Sequence, residues 1–368
     1  MQTDRREFVA LCGGVFAESL FAAGPAVAQG LQASEPSSGG RKKLIIDTDP
    51  GVDDAFALLL AMSSPEIDLL AVTAVAGNVP LDVTLRNALR LVEIAGRTDI
   101  PVARGAASPL IRTLVDAPYA HGANGLAGVD FSPPRLRPAA EPAASLIARL
   151  VREHPGEVTL VGIGPLTNIA MALRQDPDLA RLIHSIVLMG GSLSGGNVTP
   201  AAEFNFYVDP EAASIVFCSG APIYMVGLDV TRKVELTDAH LRAFEAGHNP
   251  ASDAAARIGT AVMELYRRQH EEEPPHLHDP LAVSALLSTD VLTFEDYRIE
   301  IETAGTLTAG ESVGWRSGPV RFSAPLQDAP SPASQAAGAF VANARVATAV
   351  RPEVFFNLLI SRLTRAAA

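Results

Sequence analysis

The sequence predicts an α/β protein whose central sheet is mainly parallel and covered by helices on both faces, and three observations carry this. Short aliphatic runs without polar alternation recur along the chain, as in strands buried on both sides. Segments with apolar residues at helical spacing separate them, the alternation that joins parallel strands through crossover helices. The clusters of Asp, Asn, Glu and His fall where those strands end, the edge at which open α/β sheets bind ligands.

Taken in order, Leu44 to Ile46 reads as the first strand, Pro50-Gly51 as the turn that ends it, and Ala55 to Met62 as a buried helix. Leu69 to Ala76 is a strand closed by Gly77-Asn78, and Val83 to Ala95 a helix. Ala144 to Arg152 is helical and Val158 to Ile163 a strand; Gly164-Pro165 turns into a helix reaching Leu173. Ile186 to Met189 is a strand ending in Gly190-Gly191, Glu211 to Cys218 a helix, and Ile223 to Leu228 a strand. The last third is less regular. Asp253 to Gln269 reads as a helix broken by Glu271-Glu272-Glu273-Pro274-Pro275, and Leu281 to Leu287 as an apolar helix. Arg298 to Glu302 is strand-like and Glu353 to Arg365 closes the chain as a helix. Phe322 to Gly338, rich in Pro, Ala and Ser, reads as an exposed loop.

With 368 residues, 48% apolar and 19% charged, the chain can bury a large core, and global disorder is excluded. A formal charge of −12 argues against a nucleic-acid or anionic-membrane partner. Residues 1–28 read as an export signal: Arg5-Arg6 precede an apolar stretch, and Ala26-Val27-Ala28 offers a small-residue cleavage site. The paired arginines resemble a twin-arginine signal, which implies a periplasmic protein with no stable membrane insertion after cleavage; an uncleaved anchor is the competing reading. Glu18 and Pro25 interrupt the apolar run and count against the anchor. Residues 29–41 read as a flexible linker and 42–368 as one domain. Cys12 would leave with the signal, and Cys218, in an apolar helical run, reads as a core residue.

The acidic turn carries most of the chemistry. Asp47, Asp49, Asp53 and Asp54 lie within eight residues at the mouth of an apolar strand–turn–helix unit. A helix cap needs one carboxylate, not four, so a cap with solvated surface acids accounts for only part of this. Four buried acids would repel one another unless a cation joined them, and an oxygen-only donor set suits Ca²⁺ or Mg²⁺ rather than zinc. Downstream, Asn197, Glu203, Asn205 and Asp209 follow Gly190-Gly191-Ser192; such side chains can divide donor and acceptor roles around a polyol, or simply form a polar surface loop. Asp279, after His278 and before an apolar helix, suits either a cap or a ligand. His121 sits in a glycine-rich loop that assigns it no role. Gly164-Pro165-Leu166-Thr167-Asn168 lacks the Lys and glycine spacing of a phosphate loop, and reads as a strand-to-helix turn with free carbonyls.

Together these motifs resemble the inosine–uridine nucleoside hydrolase family, from about Lys43 to the closing helix. Asp47-Thr48-Asp49-Pro50-Gly51-Val52-Asp53-Asp54 matches the family's Asp-x-Asp-x-x-x-Asp-Asp signature; Val187 to Gly191, Glu203-Phe204-Asn205 and His278-Asp279-Pro280 follow in the family's order. The resemblance implies a Rossmann-like fold and a calcium-dependent ribonucleoside hydrolase. Asp49, Asp54, Asp279 and the main-chain carbonyl of Ile163 would hold Ca²⁺, which would also take a water and the sugar diol. Asp53, Asn78, Asn197, Glu203 and Asn205 would grip the ribose. Asp49 would take the water's proton, and His278 would lie near the departing base. It also implies a homo-oligomer, a dimer or tetramer, acting on small-molecule ribonucleosides. The base-facing segment between Tyr266 and His276 departs from the purine-accepting members, and Phe322 to Gly338 is longer than the family pattern. Two competitors are a haloacid-dehalogenase-like phosphatase, which gives Asp53-Asp54 and Asp279 no role, and an exported nucleoside-binding protein without turnover.

Overall fold

The computed structural model describes residues 40–269, 274–316 and 341–365. The export signal, most of the linker and the Phe322 to Gly338 segment lie outside them. β1 (Lys42–Thr48) leads through a three-residue turn into α1 (Val52–Met62), followed by β2 (Ile67–Ala74), α2 (Leu81–Ile94) and β3 (Val102–Arg104). After a long connection come α3 (Ala143–Glu153), β4 (Val158–Gly162), α4 (Thr167–Gln175) and β5 (Ser185–Met189). α5 (Phe204–Val208), α6 (Pro210–Phe217), β6 (Ile223–Val226), α7 (Leu228–Thr231), α8 (Asp238–Glu245) and α9 (Pro250–Gln269) follow. α10 (His278–Ser284), β7 (Leu292–Ile301), β8 (Ser312–Arg316), β9 (Ala344–Val350) and α11 (Pro352–Leu363) complete the described chain.

The strands form one sheet in the order β3-β2-β1-β4-β5-β6-β9-β7-β8. Every neighbouring pair from β3 to β9 is parallel, and β9-β7 and β7-β8 are antiparallel. The α/β class and the mainly parallel sheet are therefore as the pattern predicts. Chain order runs outward from β1 in both directions, through β2 to β3 and through β4 to β6, so the sheet's switch point lies between β1 and β4. Crossovers on the two sides depart to opposite faces there, leaving a crevice beyond the carboxyl ends. Asp47 sits opposite Gly162 of β4 and Thr73 of β2, which sets the acidic turn over that crevice.

All eleven residues of α1 are buried, consistent with a helix that is apolar almost all round and covered by α2, α9, α10 and α11. One core runs from Ile45, Leu160, Ile186 and Leu188 of the sheet to Leu146 and Ile147 of α3 and Ile169 of α4. Leu44 and Ile46 alternate with Ile45 and are also buried, as strands covered on both faces require. Among the described residues no helix is long and apolar enough to cross a membrane.

Four expectations need correction. Arg41, the last residue of the expected linker, is fastened to the fold: its Nε and Nη2 donate to the Ile67 carbonyl at 3.0 and 2.7 Å. Cys218 is exposed, because α6 ends at Phe217 and turns its buried face through Ala212, Ala213, Val216 and Phe217. α10 begins at His278, three residues before the expected Leu281, so Asp279 stands in its first turn and caps nothing. The Arg298 to Glu302 strand is the end of the longer β7, and β3, β8, β9 and α8 carry no clear sequence signal.

Candidate active site

Asp49 lies just past β1, wedged between two loops. The main-chain N–H of Asn78 donates to its Oδ2 at 2.6 Å, and its Oδ1 is buried without a hydrogen-bond partner among the described residues. Gly77 and Gly164 flank the carboxylate so closely that a Cβ at either would overlap it, so glycine at both positions lets the strand ends close on the acid. Asp54 takes Thr48 Oγ1 on Oδ1, and Gly51 N–H and Asn78 Nδ2 on Oδ2 at 2.9 and 3.0 Å. It thereby caps the start of α1 through the Gly51 N–H while its carboxylate stays beside Asp49.

Asp279 arrives from α10, 225 residues after Asp54, and the two with Asp53 offer carboxylate oxygens all within 4.8 Å of one another. All four acids are buried. Burial and then the charge of Asp54 hold the Asp49 carboxyl well above the usual carboxylate range, and burial followed by Asp53 does the same to Asp279. Burial, then Asp54, raises Asp53 to about 7. Crowded acids with an unpartnered oxygen among them form a site to which a hard cation would be well matched. The donors present are all oxygen, which fits that ion; the Ile163 carbonyl stands at the same edge and accepts Asn205 Nδ2 at 3.3 Å.

Asp47 faces elsewhere. Its Oδ1 accepts Thr73 Oγ1 at 2.5 Å and Asn168 Nδ2 at 2.8 Å, and burial raises it to about 7. Asn168 also donates to Ala74 O at 3.2 Å and accepts Ala106 N–H at 2.8 Å. The Gly164 to Asn168 turn is thus a tie between β1, β2 and the loop after β3, not a phosphate cradle.

The side chains expected on the ribose all line the pocket, each with part of its polar capacity already committed. Asn197 Oδ1 accepts Phe204 N–H at 2.9 Å, leaving its NH₂ as a donor. Asn205 Nδ2 donates to the Ile163 and Met189 carbonyls at 3.3 and 3.1 Å, leaving its carbonyl as an acceptor. Glu203 caps α5, accepting N–H from Gly191, Asn205 and Phe206 at 2.9, 2.9 and 3.2 Å, while burial raises it to about 7. These locked ends fix which group each residue can offer a polyol.

Beyond Asp53 and Asn78 the pocket wall is formed by Tyr119, His121, Val262, Tyr266, His276 and His278. His121, unassigned by its loop, is a pocket residue: Val52 N–H donates to its Nδ1 at 3.1 Å, so the ring's proton resides on Nε2. Burial lowers it to about 4. His278 Nδ1 meets Thr231 Oγ1 at 2.8 Å, its ring lies 5.6 Å from that of His276, and burial lowers it to about 3. Nothing in the sequence near His121 signals this placement, since its partner Val52 is 69 residues away.

A sequence model of the family described as inosine-uridine preferring nucleoside hydrolase matches residues 44–357. The pyrimidine-specific ribonucleoside hydrolase RihA of Enterobacter sp. (strain 638) is 46% identical over 271 residues, covering 73% of this chain and 87% of that protein. Its namesake from Salmonella arizonae is 44% identical over 275 residues, covering 73% and 87%. Among solved structures, the plant nucleoside hydrolase PpNRh1 superposes with a TM-score of 0.79 at 34% identity, covering 88% of this chain and 99% of that one. A purine-preferring ribonucleoside hydrolase from Gardnerella vaginalis gives 0.77 at 31% identity, covering 88% and 98%. The match runs from β1 into the last helix, and the chain belongs to the inosine-uridine preferring nucleoside hydrolase family.

Proposed function

We propose that this protein is a calcium-dependent hydrolase that cleaves the N-glycosidic bond of pyrimidine ribonucleosides to free base and ribose. The observation that carries the proposal is the buried Asp49 Oδ1, without a hydrogen-bond partner among the described residues, beside Asp53, Asp54 and Asp279 at a pocket that His121, His276 and His278 also line. Ribonucleoside hydrolysis follows from the family; the preference for pyrimidines is supported by the RihA relatives at 44–46% identity.

Asp49, Asp54, Asp279 and the Ile163 carbonyl would hold the ion. When bound, it would lower the pKa of the attacking water and fix the sugar's hydroxyls. Asp49 accepts that water's proton, a role to which its unpartnered oxygen is suited. Asp53, Asn78, Asn197, Glu203 and Asn205 grip the ribose, Asn197 as donor and Asn205 as acceptor. Bond cleavage builds positive charge on the sugar ring, and the carboxylates below it stabilise that charge. The departing base gains negative charge, and neutral His121 and His278 offer it N–H groups instead of a full proton. We extend the proposal to a periplasmic location after twin-arginine export and to a homodimer or homotetramer in solution.

The test is release of free base and ribose from uridine, cytidine, inosine and adenosine, with and without chelator, alongside p-nitrophenyl phosphate. Turnover of the pyrimidine nucleosides that chelation abolishes and Ca²⁺ restores is expected. Nucleoside binding without release would mean a binding protein, and phosphate release alone a phosphatase; either would overturn the proposal. Cell fractionation and light scattering of the purified protein address location and assembly.

A further inference from the structure

We propose that Thr231 is a positioning residue that sets the tautomer and orientation of His278, so that His278 presents Nε2–H to the departing base. Thr231 ends the short helix α7 and is fully buried. Its Oγ1 has one hydrogen-bond partner among the described residues, His278 Nδ1 at 2.8 Å.

That contact can be made in two ways. If His278 Nδ1–H donated to Oγ1, the threonine hydroxyl hydrogen would be left in the interior with no acceptor, a costly arrangement for a buried polar group. If the threonine O–H donates to Nδ1, both groups are satisfied and the ring's single proton must sit on Nε2. Only the second arrangement leaves nothing buried and unpaired. His121 reaches the same state by another route, since the Val52 main-chain N–H can only donate and its Nδ1 must accept. Two rings lining one pocket are therefore held as the same tautomer, His121 by a main-chain donor and His278 by a side-chain hydroxyl from outside the pocket lining.

Thr231 is well placed for this by the backbone around it. Its N–H is bonded to the Gly227 carbonyl at 3.1 Å, and its own carbonyl accepts the N–H of Val234 at 3.3 Å. The Leu277 N–H, next to His278, donates to the Val234 carbonyl at 3.1 Å, which ties the two segments together. The hydroxyl is the remaining polar group, and it is aimed at the ring.

This inference rests on His278 donating to the base, and the experiment separates the two. Thr231→Val keeps the shape and removes the hydroxyl; Thr231→Ser keeps the hydroxyl. On uridine we expect Thr231→Val to lower kcat about 30-fold or more with KM within about threefold, Thr231→Ser to recover most of it, and p-nitrophenyl riboside, whose leaving group needs no donor, to be turned over almost normally by both. His278→Ala on the same two substrates tests the underlying role, and an equal loss on both removes it. A selective loss with His278→Ala beside wild-type kinetics in Thr231→Val would overturn the role of Thr231 alone. Imidazole ¹⁵N shifts give a readout independent of turnover. Nε2–H in the wild type, redistributed in Thr231→Val, supports the proposal; Nδ1–H in the wild type sinks it.

Discussion

Within one cleft, Asp49, Asp53, Asp54 and Asp279 stand on a strand end and two helix starts, and burial drives Asp49, Asp53 and Asp279 towards neutral acids. Beside them His121, the last residue of a one-turn helix (Pro118–His121), lies against Gly51, and His278 opens α10 next to Asp279; burial drives both towards neutral imidazoles. The same force acts on both and produces opposite chemistry. The acids remain in conflict until a cation compensates them, whereas the imidazoles lose their charge and become fixed hydrogen-bond donors. The two sets also differ in what supports them. Sheet register and the close-set glycines Gly77 and Gly164 hold the acids, while more of the pocket wall is assembled from Tyr119, Tyr266, Pro275 and His276, drawn from the same one-turn helix, the end of α9 and a connecting segment. On the proposed reading, a ribose site carried by the sheet is joined to a base wall made of replaceable parts.

The largest effect should come from the acids. Asp49→Asn keeps the size and one oxygen of the side chain but removes the proton acceptor, and kcat on uridine is expected to fall about 10³- to 10⁴-fold with KM changed far less. Near-normal turnover would show that the acids act only as a cation cage. Among the imidazoles, His121→Ala should cost about 10²-fold on uridine and little on p-nitrophenyl riboside, the signature of a donor to the base. An equal loss on both substrates would place His121 with the ribose and weaken the division between the two sets.

How much of this could be read in advance follows the same division. Of the four acids around Pro50-Gly51, Asp49, Asp53 and Asp54 crowd together as their spacing suggests, whereas Asp47 turns away to Thr73 and Asn168, partners 26 and 121 residues on, so the acidic cluster was legible only in part. Asp279 could be joined to them only through the ordered motifs, because 225 residues of chain separate it from Asp54. His121 was not legible, since what defines it is one main-chain N–H from Val52. Thr231 was hidden for a similar reason: a four-residue helix leaves no periodicity, and its hydroxyl acts across 47 positions. In the fold, β3 has three residues, β8 contains Gly314 beside Trp315, and β9 is Ala-rich, so none carries an aliphatic run long enough to stand out. Their places are set by neighbours in the sheet.

A smaller effect concerns stability and pH in the chelated protein. Burial raises Glu203 from 4.5 to about 7, only partly offset by the backbone N–H groups that face it. Between those values the folded protein keeps a proton that the unfolded chain has released, so this group's contribution is present below pH 4.5 and lost as pH rises through 7. His121, lowered from 6.5 to about 4, works in the opposite sense over pH 4 to 6.5, which is why wild-type stability alone would be ambiguous. Glu203→Gln isolates the carboxylate. Its melting temperature relative to wild type should rise steadily from pH 5 to pH 8, by an amount equivalent to roughly 1–3 kcal/mol, whatever constant offset the lost capping causes. A difference that stays flat with pH would mean that Glu203 is ionised in the fold at little cost, and the contrast between the two sets would then rest on the metal-site acids alone.

The smallest effect tests the replaceable parts. Tyr266 lies near the end of α9, where the helix meets the segment whose composition departs from purine-accepting relatives, and it lines the pocket. Tyr266→Ala should leave any metal requirement unchanged and change the ratio of kcat/KM for uridine over inosine by about tenfold, because a pocket contact of one side chain is worth on the order of 1–3 kcal/mol in discrimination. A uniform loss on all nucleosides, with the ratio unchanged, would make Tyr266 part of the common machinery. The boundary between the ribose site and the replaceable wall would then have to be drawn further from the acids.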